Sequence, residues 1–175
     1  MGLFGKLFNK SESLDTTKKE QKIKRTIFDF FEFDLRSLPD ETFIKGSDEF
    51  NTVNEPIIKY RKRYNDKLLG IFDYMEVVVF NNGKKNISLT VEGIRSISIN
   101  KLRALVNDLF LIYGHDSDNK AAFNSNDIKE MDPNDEYGLF GRSWSDSDKY
   151  EYPLMISRID SELSMTIWGV DGNES

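Results

Sequence analysis

The feature that most constrains this chain is a hairpin signature between residues 74 and 92. Two runs, Tyr74 to Phe80 and Asn86 to Glu92, flank Asn81-Asn82-Gly83-Lys84-Lys85. The Asn82-Gly83 pair supplies the positive φ angles that a tight antiparallel turn requires. In the second run Ile87, Leu89 and Val91 face one way while Ser88, Thr90 and Glu92 face the other. That alternation belongs to an antiparallel sheet with one wet face, whose apolar face has to be covered by another layer.

Further segments supply more strands and the cover. Ile57 to Tyr64 alternates, with Ile58, Tyr60 and Tyr64 on one face and Lys59, Arg61 and Arg63 on the other. Leu154, Ile156, Met165 and Ile167 alternate across a second hairpin that turns near Asp160-Ser161-Glu162. Ser98 or Asn100 caps a helix over 99–113 that buries Leu102, Leu105, Val106, Leu109, Ile112 and Tyr113 and stops at Gly114. Thr17 and Glu20 form a capping box, and Ile23, Ile27, Phe30, Phe31, Leu35 and Leu38 recur at helical spacing before Pro39. This predicts a helix over 17–37, with a strand through Thr26 to Leu35 as the alternative.

Residues 39–55 and 115–152 read as loop, the latter with a short helix at Asn126 to Met131 and an aromatic patch from Tyr137 to Trp144. Hairpins without βαβ alternation predict an α+β fold, a mainly antiparallel sheet built from β-hairpins and packed against two helices. Residues 1–15 form a tail and 16–175 a single domain. The expected core includes Val78, Phe80, Leu89, Leu102, Val106, Leu109, Ile156 and Ile167.

Composition removes several chemistries. The chain of 175 residues has no cysteine and one histidine, His115, so disulfides, thiolate nucleophiles, iron–sulfur clusters and multi-imidazole metal sites are excluded. Neither G-x-x-x-x-G-K-[ST] nor G-x-G-x-x-G occurs, and no cofactor is expected. His115 beside Asp116 at a helix end is a possible general base, with a solvated loop histidine as the plainer reading. The acidic groups Asp116, Asp118 and Asn119; Asp132, Asn134, Asp135 and Glu136; and Asp146 and Asp148 do not match the calcium loop, because Tyr137 and Ser143 fall where glycine and glutamate belong. The N-terminus, MGLFGKLFNK, lacks the apolar stretch of a secretory signal, and a cytoplasmic protein is expected. Its Leu3, Phe4, Leu7 and Phe8 share a helical face beside Lys6 and Lys10, a membrane-surface pattern in a segment that buries little area.

Charge points to the partner class. Residues 1–65 carry 13 basic and 11 acidic groups, whereas 115–151 carries ten acids and four bases. An acidic chain lacks the footprint of a nucleic-acid binder, and strand alternation separates Tyr60 and Tyr64 from the basic face of Lys59, Arg61 and Arg63. In the acidic stretch, Phe140, Arg142 and Trp144 are the residue types that anchor contacts, with Asp146 and Asp148 steering approach. The expectation is a non-catalytic acidic, soluble domain that binds another protein, adaptor- or inhibitor-like. The alternative is a carboxylate-based, hydrolase-like enzyme with its acid and base in 115–151.

Overall fold

The computed structural model describes residues 27–171 apart from 32–33, 52–53, 136–138, 146–151 and 160. A 3₁₀ turn, Ile27–Phe30, precedes strands β1 (Ile44–Phe50), β2 (Pro56–Leu68), β3 (Phe72–Phe80) and β4 (Lys85–Glu92). Helices α1 (Ile99–Tyr113) and α2 (Ser125–Glu130) follow, then β5 (Phe140–Trp144), β6 (Leu154–Ile159) and β7 (Glu162–Val170). The strands form one antiparallel sheet in the order β1-β2-β3-β4-β7-β6-β5. Two meanders, β1 to β4 and β5 to β7, are therefore joined where β4 pairs with β7. The α+β arrangement expected from the hairpins is the one observed.

One face of the sheet is the core face. Met75, Val77, Ile87, Leu89, Val91, Leu154, Ile156, Leu163, Met165 and Ile167 belong to the same buried cluster as Leu102, Leu105, Val106 and Leu109 of α1. Ser98 caps α1 by accepting from the Lys101 N–H, and the Gly114 N–H closes the helix onto the Phe110 carbonyl. Those apolar positions recur every three or four residues, which sets one helical stripe against the sheet. Ile112 and Tyr113, expected inside, are only partly buried at the helix end.

The turn at 80–84 differs from its expectation in detail. Among its residues only Gly83 has a positive φ, 80°. The Gly83 N–H donates to the Phe80 carbonyl at 3.0 Å, and the Phe80 N–H to the Lys84 carbonyl at 2.9 Å. This is the longer hairpin loop with a left-handed glycine at its end rather than a two-residue turn. The connection between β2 and β3 is three residues, Leu69 to Ile71, between the paired Leu68 and Phe72; Leu69 and Gly70 have φ of 55° and 67°, and the Ile71 N–H reaches the Leu68 carbonyl at 3.0 Å.

Four expectations are corrected. The described part of 17–37 is a 3₁₀ turn followed by a tight turn, because the Asp34 carboxylate accepts from the Arg36 N–H at 3.0 Å and the Ser37 hydroxyl at 2.8 Å in place of helical bonding. Ile27, Phe30, Phe31 and Leu35 are nevertheless buried, while Leu38 is 68 % exposed; residues 17–26 and the tail of 1–15 lie outside the described residues. The stretch 39–55 contains β1, which owes its strand to pairing with β2, with an irregularity between Lys45 and Asp48. Val78 and Phe80 are not core: in register with Lys59 and Ile57, they lie on the wet face and are only partly buried. The aromatic patch of the 115–152 loop contains β5, a regular edge strand. Among the described residues no helix is long and apolar enough to cross a membrane.

Candidate functional site

β5 has the sequence Phe140-Gly141-Arg142-Ser143-Trp144, bulky and small residues in alternation. Pleating sends the three bulky side chains to the core face. Phe140, Arg142 and Trp144 are 2 %, 1 % and 1 % exposed, so these expected contact anchors are interior side chains. The Trp144 indole donates to the Gly114 carbonyl at 3.2 Å, and Phe140 packs near Phe123 with ring centroids 6.3 Å apart. Asp146 and Asp148, expected to steer a partner, lie outside the described residues.

Arg142 organises the segment that precedes it. Its guanidinium meets the Asp127 carboxylate through two bonds, Nε to Oδ1 at 3.0 Å and Nη2 to Oδ2 at 2.6 Å. Nη1 reaches Asp116 Oδ2 at 3.3 Å and the Ala121 carbonyl at 2.9 Å. Asp127 also accepts from the Asn124 N–H at 2.7 Å, one half of the capping box that starts α2. Asp116 Oδ1 accepts from the N–H groups of Asp118 and Lys120, at 3.1 and 2.7 Å. Two acids of the sequence's most acidic stretch are thus spent holding that stretch against β5. Burying such charges is tolerable only with this degree of pairing.

A second buried arginine extends the pattern. Arg158 of β6 donates through Nη1 to the carbonyls of Glu130 and Asp132, at 2.9 and 2.8 Å, and through Nη2 to that of Asp135 at 2.5 Å. The turn after α2 is thereby fixed to the sheet by its backbone, leaving the Asp132 and Asp135 side chains exposed. A third interior cation, Lys85, donates to the Ser37 carbonyl at 2.7 Å. Burial lowers its pKa from the usual lysine value, against the pull of the Asp34 charge.

The acid–base and metal candidates can be placed as well. His115 is exposed and sets its ring edge-on to Phe110, 5.4 Å between centroids, while the neighbouring Asp116 turns inward to Arg142. Asp132 Oδ1 accepts from the Asn134 N–H at 2.9 Å and its side-chain amide at 3.1 Å. Among the described residues no group of three or more His, Cys, Asp or Glu side chains could hold a metal ion.

The other face of the sheet is where the described chain leaves surface uncovered. Register builds it in rows running from β2 to β5. One row is Arg61, Glu76, Ser88, Thr166, Met155 and Ser143; the next is Arg63, Tyr74, Thr90, Ser164, Ser157 and Gly141. A third holds Lys59, Val78 and Asn86, beside which alternation places Trp168. Apart from Thr90, these uncharged residues are only partly buried in the middle of a seven-stranded sheet. The cations at the β2 end are paired, Lys59 to Glu49 at 2.5 Å, Arg61 to Glu76 at 2.8 Å and Arg63 to Glu92 at 2.6 Å. Tyr74 lies under Arg61, 4.7 Å from guanidinium to ring. From β4 to β5 these three rows carry no charge, only hydroxyls, an amide, a glycine, Met155 and Trp168, while the next row of the same face sets Glu92 of β4 opposite Glu162 of β7. At the far corner Leu139 and Ile159 are 71 % and 62 % exposed.

Sequence reasoning had identified Ser88 and Thr90 as wet, but not Met155, Thr166 and Trp168 beside them. The alternation of Leu154, Ile156, Met165 and Ile167 was the available signal, since whatever lies between inward residues faces outward. Comparison with protein-family models, with curated proteins and with solved structures gave no significant match.

Proposed function

We propose that this protein is a non-catalytic binding domain that recognises another protein through the face of its sheet that the described residues leave uncovered. The observation that carries this reading is the uncharged field from Ser88 across Thr166 to Met155, flanked by Trp168 and bordered on its β2 side by the ion pairs Arg61–Glu76 and Arg63–Glu92. A centre low in charge with an aromatic residue beside it and charged groups at its edge fits a protein contact surface. The acidic stretch 115–151 supports this division of labour, because Asp116 and Asp127 have an architectural task at Arg142. The adaptor-like role expected from the sequence is retained, with its surface moved from β5 to the opposite face of the sheet.

The test is retention of native partners by the wild-type chain and by Thr166→Arg and Leu111→Ser variants. Leu111, 70 % exposed on α1, lies away from this face and serves as the control. Partners held by wild type and Leu111→Ser but lost from Thr166→Arg support the proposal. Partners held equally by all three would contradict it.

A further inference from the structure

The tip of the β3–β4 hairpin holds a reactive pair of residues. Asn82 is followed by Gly83, and no other asparagine of the chain precedes a glycine. The Cγ of an asparagine can be attacked by the backbone nitrogen of the next residue, which closes a five-membered ring. Glycine permits that approach best, since it has no Cβ to crowd the ring. Residues 81–84 are all exposed, and a Cβ built on Gly83 would meet nothing within 4 Å, so the tip has room to move and water reaches it.

The hydrogen bonds of the turn set what assists the reaction and what restrains it. Asn82 Oδ1 accepts from the Lys84 N–H at 3.0 Å, so a donor already lies on the oxygen that takes up charge when Cγ is attacked. The Gly83 N–H is held by the Phe80 carbonyl at 3.0 Å, and this bond has to open before the nitrogen can turn toward Cγ. Exposed loop tips open locally at little cost, and the core is not disturbed, because burial begins only at Lys85.

We infer that Asn82 deamidates spontaneously, with water as the only co-reactant. The Gly83 nitrogen gives up its proton and bonds to Asn82 Cγ, the Cγ–Nδ2 bond breaks, and ammonia leaves with that proton. Water then opens the resulting succinimide. Attack at Cγ gives aspartate; attack at the main-chain carbonyl gives isoaspartate, in which the chain runs through the former side chain. Either product makes the net charge of -6 more negative by one unit. The two products differ in what they do to the turn. Asp34, Asp40, Asp116 and Asp132 each accept on Oδ1 from the N–H two residues on, the bond that Asn82 makes, so aspartate fits the place. Isoaspartate adds one carbon to the backbone between Phe80 and Lys84, and so disrupts the Phe80 N–H bond to the Lys84 carbonyl that closes the hairpin.

Mass spectrometry of the full chain during warm incubation at mildly alkaline pH tests this, with fragmentation to locate the change. A synthetic peptide of residues 78–87 is the reference, and Asn82→Gln, whose longer side chain closes the ring far more slowly, is the control. The expected result is a gain of about 1 Da in wild type, located at Asn82 an order of magnitude sooner than at any other asparagine and absent from Asn82→Gln. Ion exchange then separates the more acidic products: the aspartate form and Asn82→Asp should melt with wild type, and the isoaspartate form earlier. An Asn82 that stays intact after the peptide has converted overturns the inference, because the turn then shuts the reaction off. Conversion that begins at another asparagine overturns it too. Equal melting of the two products would contradict their different fit to the turn.

Discussion

Arg142 and Asp127 are locked together inside the protein, the guanidinium on β5 and the carboxylate in the first turn of α2, with both side chains shielded from water. The contact joins an edge strand to a segment that has little apolar material of its own. It explains how a polar stretch stays attached to a sheet, since each end of the bond is also tied to backbone: Arg142 to the Ala121 carbonyl, Asp127 to the Asn124 N–H.

Cutting that lock leaves two carboxylates facing an empty place. Arg142→Met is expected to cost about 3 to 5 kcal/mol, the usual loss when one partner of a buried pair is removed. Arg142→Lys should recover only part of it, because an ammonium cannot make the two-pronged contact. Urea unfolding measures both. A loss below about 1 kcal/mol for Arg142→Met would show that the segment is held by something else.

The two faces of the sheet predict opposite responses to equal chemistry. Leu109 of α1 is fully buried, and Leu109→Ala should cost about 2 to 5 kcal/mol. Val78 lies on the wet face, so Val78→Ala should cost less than about 1 kcal/mol. Equal losses in thermal unfolding would mean that the wet face is covered.

Lys85 gives a pH signature. Its folded-state pKa is lowered by burial, so the fold binds that proton more weakly than the unfolded chain does. The charged form therefore carries a penalty at neutral pH, which fades as pH rises from the lowered pKa through the unfolded value near 10.4. Relative to wild type, Lys85→Met should be at its most favourable near pH 7, and its melting-temperature difference should shift toward wild type by pH 10. A difference constant over that range would contradict a buried ammonium.

The β2–β3 turn gives a backbone prediction. Gly70 holds φ of 67°, and a Cβ there would meet only the flexible methylenes of Lys101, at 3.3 Å and beyond. Gly70→Ala should thus cost about 1 to 2 kcal/mol from the left-handed conformation alone. No measurable change in unfolding would show that the turn adopts another geometry.

What could be read from the sequence was what local periodicity encodes. The β3–β4 hairpin, the β6–β7 hairpin and α1 each carry apolar alternation or helical spacing plus a turn or cap within a few residues. β1 lacks such a code: Lys45, Gly46, Ser47 and Asp48 become a strand only because β2 lies alongside. β5 did carry the alternation of a strand, but aromatic and arginine side chains in an acidic, glycine-containing stretch resemble a contact loop until Asp116 and Asp127 are known to converge on Arg142. The wet face was half legible for the same reason. Ser88 and Thr166 are 78 residues apart, and only the pairing of β4 with β7 makes them neighbours.

The central claim is that Trp144 is interior and Trp168 belongs to the working surface, and the two indole N–H signals of the uniformly ¹⁵N-labelled protein report on it directly. With a soluble gadolinium chelate added to a dilute sample, the Trp144 signal, bonded to the Gly114 carbonyl, should persist while the Trp168 signal broadens. Trp168→Phe assigns the pair. Preferential broadening of Trp144, or equal broadening of both, would contradict the account.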